Sequence, residues 1–206
     1  MNNIVKSSIY CTGIHSLISI LDTKIENLPN LITCILFQGS FIFRSAVSLY
    51  QSYHRRGYDQ SVVATDTIQS LDYLVGYFIY DLLYLLKTNP RSLFIIHHLI
   101  GLFMLYCIKQ VGAPLHLLKH YNAICFIAEI TNPFLNLRTL TKHTPYHSLN
   151  MKLILITYFI FRIIAFPLIS SELLMQLNSK PLWASFSTIY GMSLLWFKKI
   201  VMMSLK

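Results

Sequence analysis

Apolar residues run in long blocks along the whole chain, broken by short clusters of Pro, Gly, Asn, Lys and Arg. Each block approaches the roughly 17 to 25 residues that a helix needs to cross hydrocarbon. The breakers predict seven helices, over 8–21, 31–50, 70–87, 92–109, 115–137, 152–170 and 182–203. The first is short for a span, and the second carries Gln38 and Arg44 inside its apolar run, so the count is six to seven. Helices are the expected element because lipid offers no partner for an unpaired backbone N–H. The pattern implies an all-α, polytopic transmembrane bundle or barrel with a central cavity, built as a single domain over 1–206.

Composition agrees. Of 206 residues 54% are hydrophobic and only 12% charged, well below the roughly 25% of a soluble domain. No charged n-region, short apolar core and cleavage site open the chain, so the expectation is no removable signal peptide. A net charge of +9 could point to nucleic acid, but the Lys and Arg residues stand at the ends of apolar runs and read as topology signals, which excludes that partner. With a cytoplasmic C-terminus (Lys198, Lys199, Lys206) and seven spans, Lys87, Arg91, Arg138, Lys142 and Lys152 share the cytoplasmic side, while Arg55 and Arg56 fall on the lumenal side. Cys11, Cys34, Cys107 and Cys125 lie within or beside apolar runs without a CxxC pair, and read as small buried hydrophobes.

Ionisable groups inside these runs cost about 2.5 to 3.5 kcal/mol each on insertion scales, so they call for a reason. Asp81 sits in GYFIYDLLYLL, the adjacent His97 and His98 in FIIHHLIGL, Glu129 in AEITNPFLNLR and Arg162 in ITYFIFRIIAFP. At 1.5 Å per residue all lie roughly 8 to 15 Å from the cytoplasmic ends of their helices. One depth band lets four helices aim polar groups at one cavity. Neighbouring residues on a helix point about 100° apart, so one histidine can face the cavity while the other turns to an adjacent helix.

Glu129, Asn132 and Asn136 line one helix face at i, i+3 and i+7, with Pro133 bending the helix between them, and Tyr77, Asp81 and Tyr84 form a similar stripe. A carboxylate beside an imidazole fixes its tautomer, as a general base or nucleophile requires. His97, His98, Asp81 and Glu129 are therefore the candidate catalytic residues, and Tyr77, Asn132, Asn136 and Arg162 the candidate substrate-binding ones. Isolated polar residues such as His15, Arg44 and Gln38 read as packing or interfacial groups, and Arg138 as a side chain reaching for the interface. The spacings HLLKH (His116, His120) and HTPYH (His143, His147) imitate a histidine box, but they fall about 30 Å apart on opposite sides of the bilayer, so no metal site is expected.

The order SSIYCTGIHSLI, GYFIYDLLYLL, a short Pro-containing turn, FIIHHLIGL and AEITNPFLNLR resembles the TLC-domain membrane proteins, which include the ceramide synthases. AEITNPFLNLR is most similar to the small TLC domain-containing proteins; ceramide synthases carry aspartates where this helix holds Glu129 and Asn132, so their full signature is incomplete here. The resemblance implies an endomembrane protein, in the endoplasmic reticulum or a related compartment, with a helical barrel or bundle, a cavity for a lipid or acyl chain, and His97 and His98 as its main function-bearing pair.

Residues and resemblance together predict lipid metabolism or lipid homeostasis. The leading expectation is a histidine-dependent acyltransferase with no tightly bound cofactor and acyl-CoA as candidate co-substrate. The alternative is a non-catalytic lipid-binding or trafficking protein whose polar cluster joins helices.

Overall fold

The computed structural model describes residues 3–20, 28–54, 60–88, 92–110 and 114–205. These are α-helical apart from one π-helical stretch and short connections. The helices are α1 (Asn3–Ser19), α2 (Leu28–His54), α3 (Gln60–Thr88), α4 (Ser92–Gln110), α5 (Leu115–Glu129), α6 (Asn132–Thr141), α7 (His147–Thr157), α8 (Phe166–Leu177) and α9 (Lys180–Ser204). Two breaks divide rods that would otherwise be continuous, so the described residues form seven rods: α5 with α6 is one, and α7, the π stretch Tyr158–Ala165 and α8 are another. The all-helical bundle expected from the pattern is what the chain forms. Arg55, Arg56, Arg91 and Lys206, used above as topology signals, lie outside the described residues.

Differences from the predicted boundaries have identifiable causes. α1 begins five residues before the predicted start at 8, because Ser7 and Ser8 do not cap a helix but bond across to α3. Ser7 Oγ donates to the Tyr73 carbonyl at 2.9 Å and Ser8 Oγ to that of Gly76 at 3.0 Å. Gly76 permits this approach: a Cβ there would stand 2.6 Å from both the Ile4 carbonyl oxygen and Ser7 Cβ. α3 begins ten residues before the predicted 70, in a polar segment whose hydroxyls face α2. Ser45 and Ser70 pair at 3.0 Å, Ser48 and Thr67 at 3.2 Å, and Ser45 also donates to Asn122 on α5 at 3.2 Å. Small hydroxylated residues let membrane helices pack closely while satisfying one another.

Pro133 breaks the rod as expected, sitting in the first turn of α6 just after the interruption at Ile130 and Thr131. The second break, at the π stretch, was not legible in the pattern. Pro167 follows it and lacks the N–H that a helix would direct at a carbonyl one turn earlier. Tyr190 of α9 donates its hydroxyl to the Ile163 carbonyl at 3.4 Å, taking up a backbone acceptor in that stretch. Asn178 ends α8 in the left-handed region, φ 43°, a role asparagine accepts readily.

Two apolar clusters hold the rods together. The larger joins α1 to α5, α8 and α9 through residues such as Phe41, Leu71, Leu74, Ile108, Leu173 and Leu182. The smaller is Met151, Ile154, Tyr158 and Ile200, with Phe134, Leu135, Trp196 and Phe197 against it. Large apolar side chains including Phe43, Leu83, Tyr106, Leu168 and Leu195 point outward, as suits a solvent of hydrocarbon. Leu28–Gln51 and His147–Leu177 are long and apolar enough to cross a membrane on composition alone. The site lies between the two clusters.

Candidate functional site

A cavity of about 380 Å³ opens between α2, α3, α4, the end of α5, α6, the π stretch and α9, and every one of the eight candidate residues lines it: Tyr77, Asp81, His97, His98, Glu129, Asn132, Asn136 and Arg162. It occupies the end of the bundle where Arg138 and Lys199 also border it. Four ionisable groups are buried there, with relative exposures of 8% for Asp81, 6% for His98 and 2% for Glu129 and for Arg162.

The two histidines are not equivalent. Their rings stand at 88° to one another with centroids 5.5 Å apart. His98 Nδ1 lies 2.8 Å from the Phe94 carbonyl, one turn back, and Nε2 lies 2.9 Å from Asp81 Oδ2. A carbonyl can only accept, so Nδ1 carries a hydrogen, and one further proton must lie between Nε2 and the Asp81 carboxyl for that contact to be a bond. Both nitrogens of His98 are thus committed, one to its own helix and one to α3. The Cys34 thiol, 3.8 Å from Asp81 Oδ1, adds a weak donor to the same carboxyl. His97 Nδ1 is buried without a hydrogen-bond partner. Its ring is held by faces and edges: Trp196 at 5.4 Å and Phe78 at 6.4 Å, each edge-on. Trp196 in turn stacks on Phe94 at 5.3 Å, so α9 sets the orientation of the histidine that has no polar anchor.

The second half of the site is a relay. Asn132 Nδ2 donates to Glu129 Oε2 at 2.7 Å, and Asn132 Oδ1 accepts from Arg162 Nη2 at 3.2 Å. One amide therefore spans the acid and the guanidinium, using both of its ends. The break after Glu129 and the π stretch carrying Arg162 produce this alignment; π turns shift the register of the following side chains and are common at functional positions. Arg162 Nε and Nη1 have no partner.

Asn136 is occupied differently. Its amide donates to Gln38 Oε1 at 2.9 Å, and Gln38 Nε2 donates to Tyr77 Oη at 2.9 Å. Gln38, read from the sequence as a packing group, thus joins α2, α3 and α6 while lining the cavity. The other packing readings fit their contacts: His15 Nδ1 bonds Tyr80 Oη at 2.8 Å, and the Arg44 guanidinium sits 4.5 Å from the centre of the Tyr73 ring. Arg138 bonds Met203 and borders the cavity rather than extending freely. His120 lies 3.1 Å from the Ile169 carbonyl and 3.7 Å from Glu172, remote from the cavity lining.

Cys34, Tyr158, Trp196 and Lys199 also line the cavity; the sequence marks Cys34 only as a buried hydrophobe and Lys199 only as a topology signal, and does not mark the two aromatic residues. Cysteine and aromatic residues in apolar runs read as core, and only their neighbours in space mark them otherwise.

No curated protein and no solved structure matches the chain. The family model described as the TLC domain (TRAM/LAG1/CLN8) matches residues 30–205, which contain all eight candidate residues and leave α1 outside. By that match, the chain belongs to the TLC-domain (TRAM/LAG1/CLN8) family of membrane proteins.

Proposed function

We propose that this membrane protein of lipid metabolism or homeostasis is an acyltransferase, with His97 as the acting imidazole. The observation that carries the reading is the asymmetry of the pair: His98 has both nitrogens engaged, whereas His97 Nδ1 has none. His97 attacks the carbonyl of an acyl thioester such as acyl-CoA; the C–S bond breaks, a C–N bond forms, and the thiol leaves with a proton. A lipid hydroxyl or amine then attacks the acyl-imidazole, the C–N bond breaks, and the ring recovers its nitrogen as the acceptor loses a proton. His98, braced by Asp81, supplies a proton and positive charge beside the reacting ring. Developing negative charge on the acyl oxygen meets Arg162, whose Nε and Nη1 have no hydrogen-bond partner; Asn136 is tied to Gln38 and Glu129 to Asn132, so these two hold the wall.

The test uses purified protein in lipid nanodiscs with acyl-CoA and either lysolipid or amine acceptors. General acid–base and nucleophilic groups contribute roughly 10²–10⁴-fold, so His97→Ala loses at least about a hundredfold and His98→Ala less. Equal turnover by wild type and both variants removes the proposal.

A second reading has its own support: Gln38, Asn132 and the Asp81–His98 pair each join separate helices, as interhelix polar contacts do in non-catalytic bundles. A lipid-binding or trafficking protein in the endoplasmic reticulum or another endomembrane would leave the cellular lipidome unchanged when the double histidine variant replaces wild type, and would co-purify with a lipid that the variant retains.

A further inference from the structure

We propose that the Arg162 end of the cavity is a binding site for a long-chain carboxylate. The inference deepens the acyl-binding part of the proposed function but requires no turnover.

A guanidinium has five N–H donors arranged as a planar fork. Arg162 uses Nη2 on Asn132, while Nε and Nη1 have no partner. With one Nη2 hydrogen spent, one complete edge of the fork remains, the arrangement that a carboxylate accepts in a bidentate pair. Burying a charge in this state is costly, several kcal/mol after relaxation, unless an acceptor is supplied. Glu129 does not supply it directly, because Asn132 spans the gap between them. A ligand's carboxylate would complete the open edge of the fork.

The walls define the rest of that ligand. Phe78, Phe94, Leu135, Trp196 and Ile200 present apolar surface to the cavity, and the Tyr158 ring lies 5.9 Å from the Arg162 Cζ. An aliphatic chain suits these walls. A volume of about 380 Å³ falls within the range of roughly 300 to 1,000 Å³ typical of ligand pockets. A phosphomonoester head fits less well at Arg162, since it carries up to two charges to one cation.

The experiment measures binding of radiolabelled palmitate, hexadecanol and palmitoyl-lysophosphatidate to the full chain in phosphatidylcholine nanodiscs. Wild type binds palmitate at least about tenfold more tightly than hexadecanol. Arg162→Gln abolishes that preference, Arg162→Lys reduces it by keeping charge without the fork, and Arg138→Gln leaves it intact. If Arg162→Gln does not fold, as judged by melting and size exclusion, Arg162→Lys carries the comparison. Carboxyl-¹³C palmitate gives a second readout, with a shifted resonance in wild type that Arg162→Lys moves. The inference fails if the acid and the alcohol bind within twofold, if Arg162→Lys binds as wild type does, or if lysophosphatidate binds best and Arg138→Gln weakens it. Palmitate binding without transfer activity sinks the acyltransferase and leaves this site standing; transfer activity without carboxylate preference does the reverse.

Discussion

Replacing Gly101 by alanine tests whether the histidine pair depends on a single aromatic wedge. A Cβ at Gly101 would stand 2.6 Å from Phe78 Cε2, 3.2 Å from Cδ2 and 3.5 Å from Cζ. Ordinary carbon contact begins near 3.5 Å, so the ring must retreat by about 0.9 Å. It has little room, being 6% exposed and bounded by Tyr77, His97 and His98. The Phe78–His98 centroid distance is 5.3 Å, and a retreat toward His98 takes it to the lower end of the roughly 4.5 to 7 Å range for edge contacts. Overpacking of this kind costs about 1–3 kcal/mol, against a gain of up to about 1 kcal/mol for alanine over glycine in a helix. The net expectation is destabilisation of about 1–2 kcal/mol, with displacement of His98 from Asp81. Phe78→Leu removes the colliding ring atoms, so the double variant Gly101→Ala/Phe78→Leu should be at least about 1 kcal/mol more stable than the sum of the singles predicts. Reversible unfolding of all four proteins in one detergent measures this coupling. Additive effects, or a Gly101→Ala protein as stable as wild type, refute the wedge.

Further outcomes follow from the same geometry. Asn132→Leu leaves Glu129 Oε2 and Arg162 Nη2 both without the amide that joins them and is expected to cost about 3 kcal/mol or more, whereas Asn136→Leu, which frees only Gln38, costs about 1–3 kcal/mol; denaturation of the two side by side checks the order. Gly76→Ala forces α1 off α3, because the obstructing atoms include the Ile4 backbone, and should expose Asn3–Ser19 to protease while residues 30–205 resist; uniform resistance counts against that docking. His97→Ala and His98→Ala should also separate by stability. His98→Ala leaves Asp81 only the weak Cys34 thiol donor and melts earlier, while His97→Ala, losing no hydrogen bond made through Nδ1, melts close to wild type.

Much of this was readable from residue order because lipid is so restrictive a solvent. Apolar runs in a bilayer must be helical, and ionisable groups inside them must face protein or a cavity. Those two constraints are enough to expect Asp81, His97, His98, Glu129 and Arg162, from four helices, around one cavity, which they line, and the family match over residues 30–205 covers all five.

The division of labour within that set came only from packing. Whether His97 or His98 is the anchored ring depends on which one reaches Asp81 across the α3–α4 interface, a matter of helix rotation that spacing leaves open. The junction Asn132 forms between Glu129 and Arg162 needs the π stretch before Pro167, whose register shift has no signature in hydrophobic periodicity. Gln38 looked like one more polar residue in an apolar helix until Tyr77 and Asn136 closed on its two ends. Local sequence constrains depth and secondary structure through the cost of exposing polar groups to lipid; which donor meets which acceptor is settled by rotation and register between helices, and those are properties of the assembled bundle.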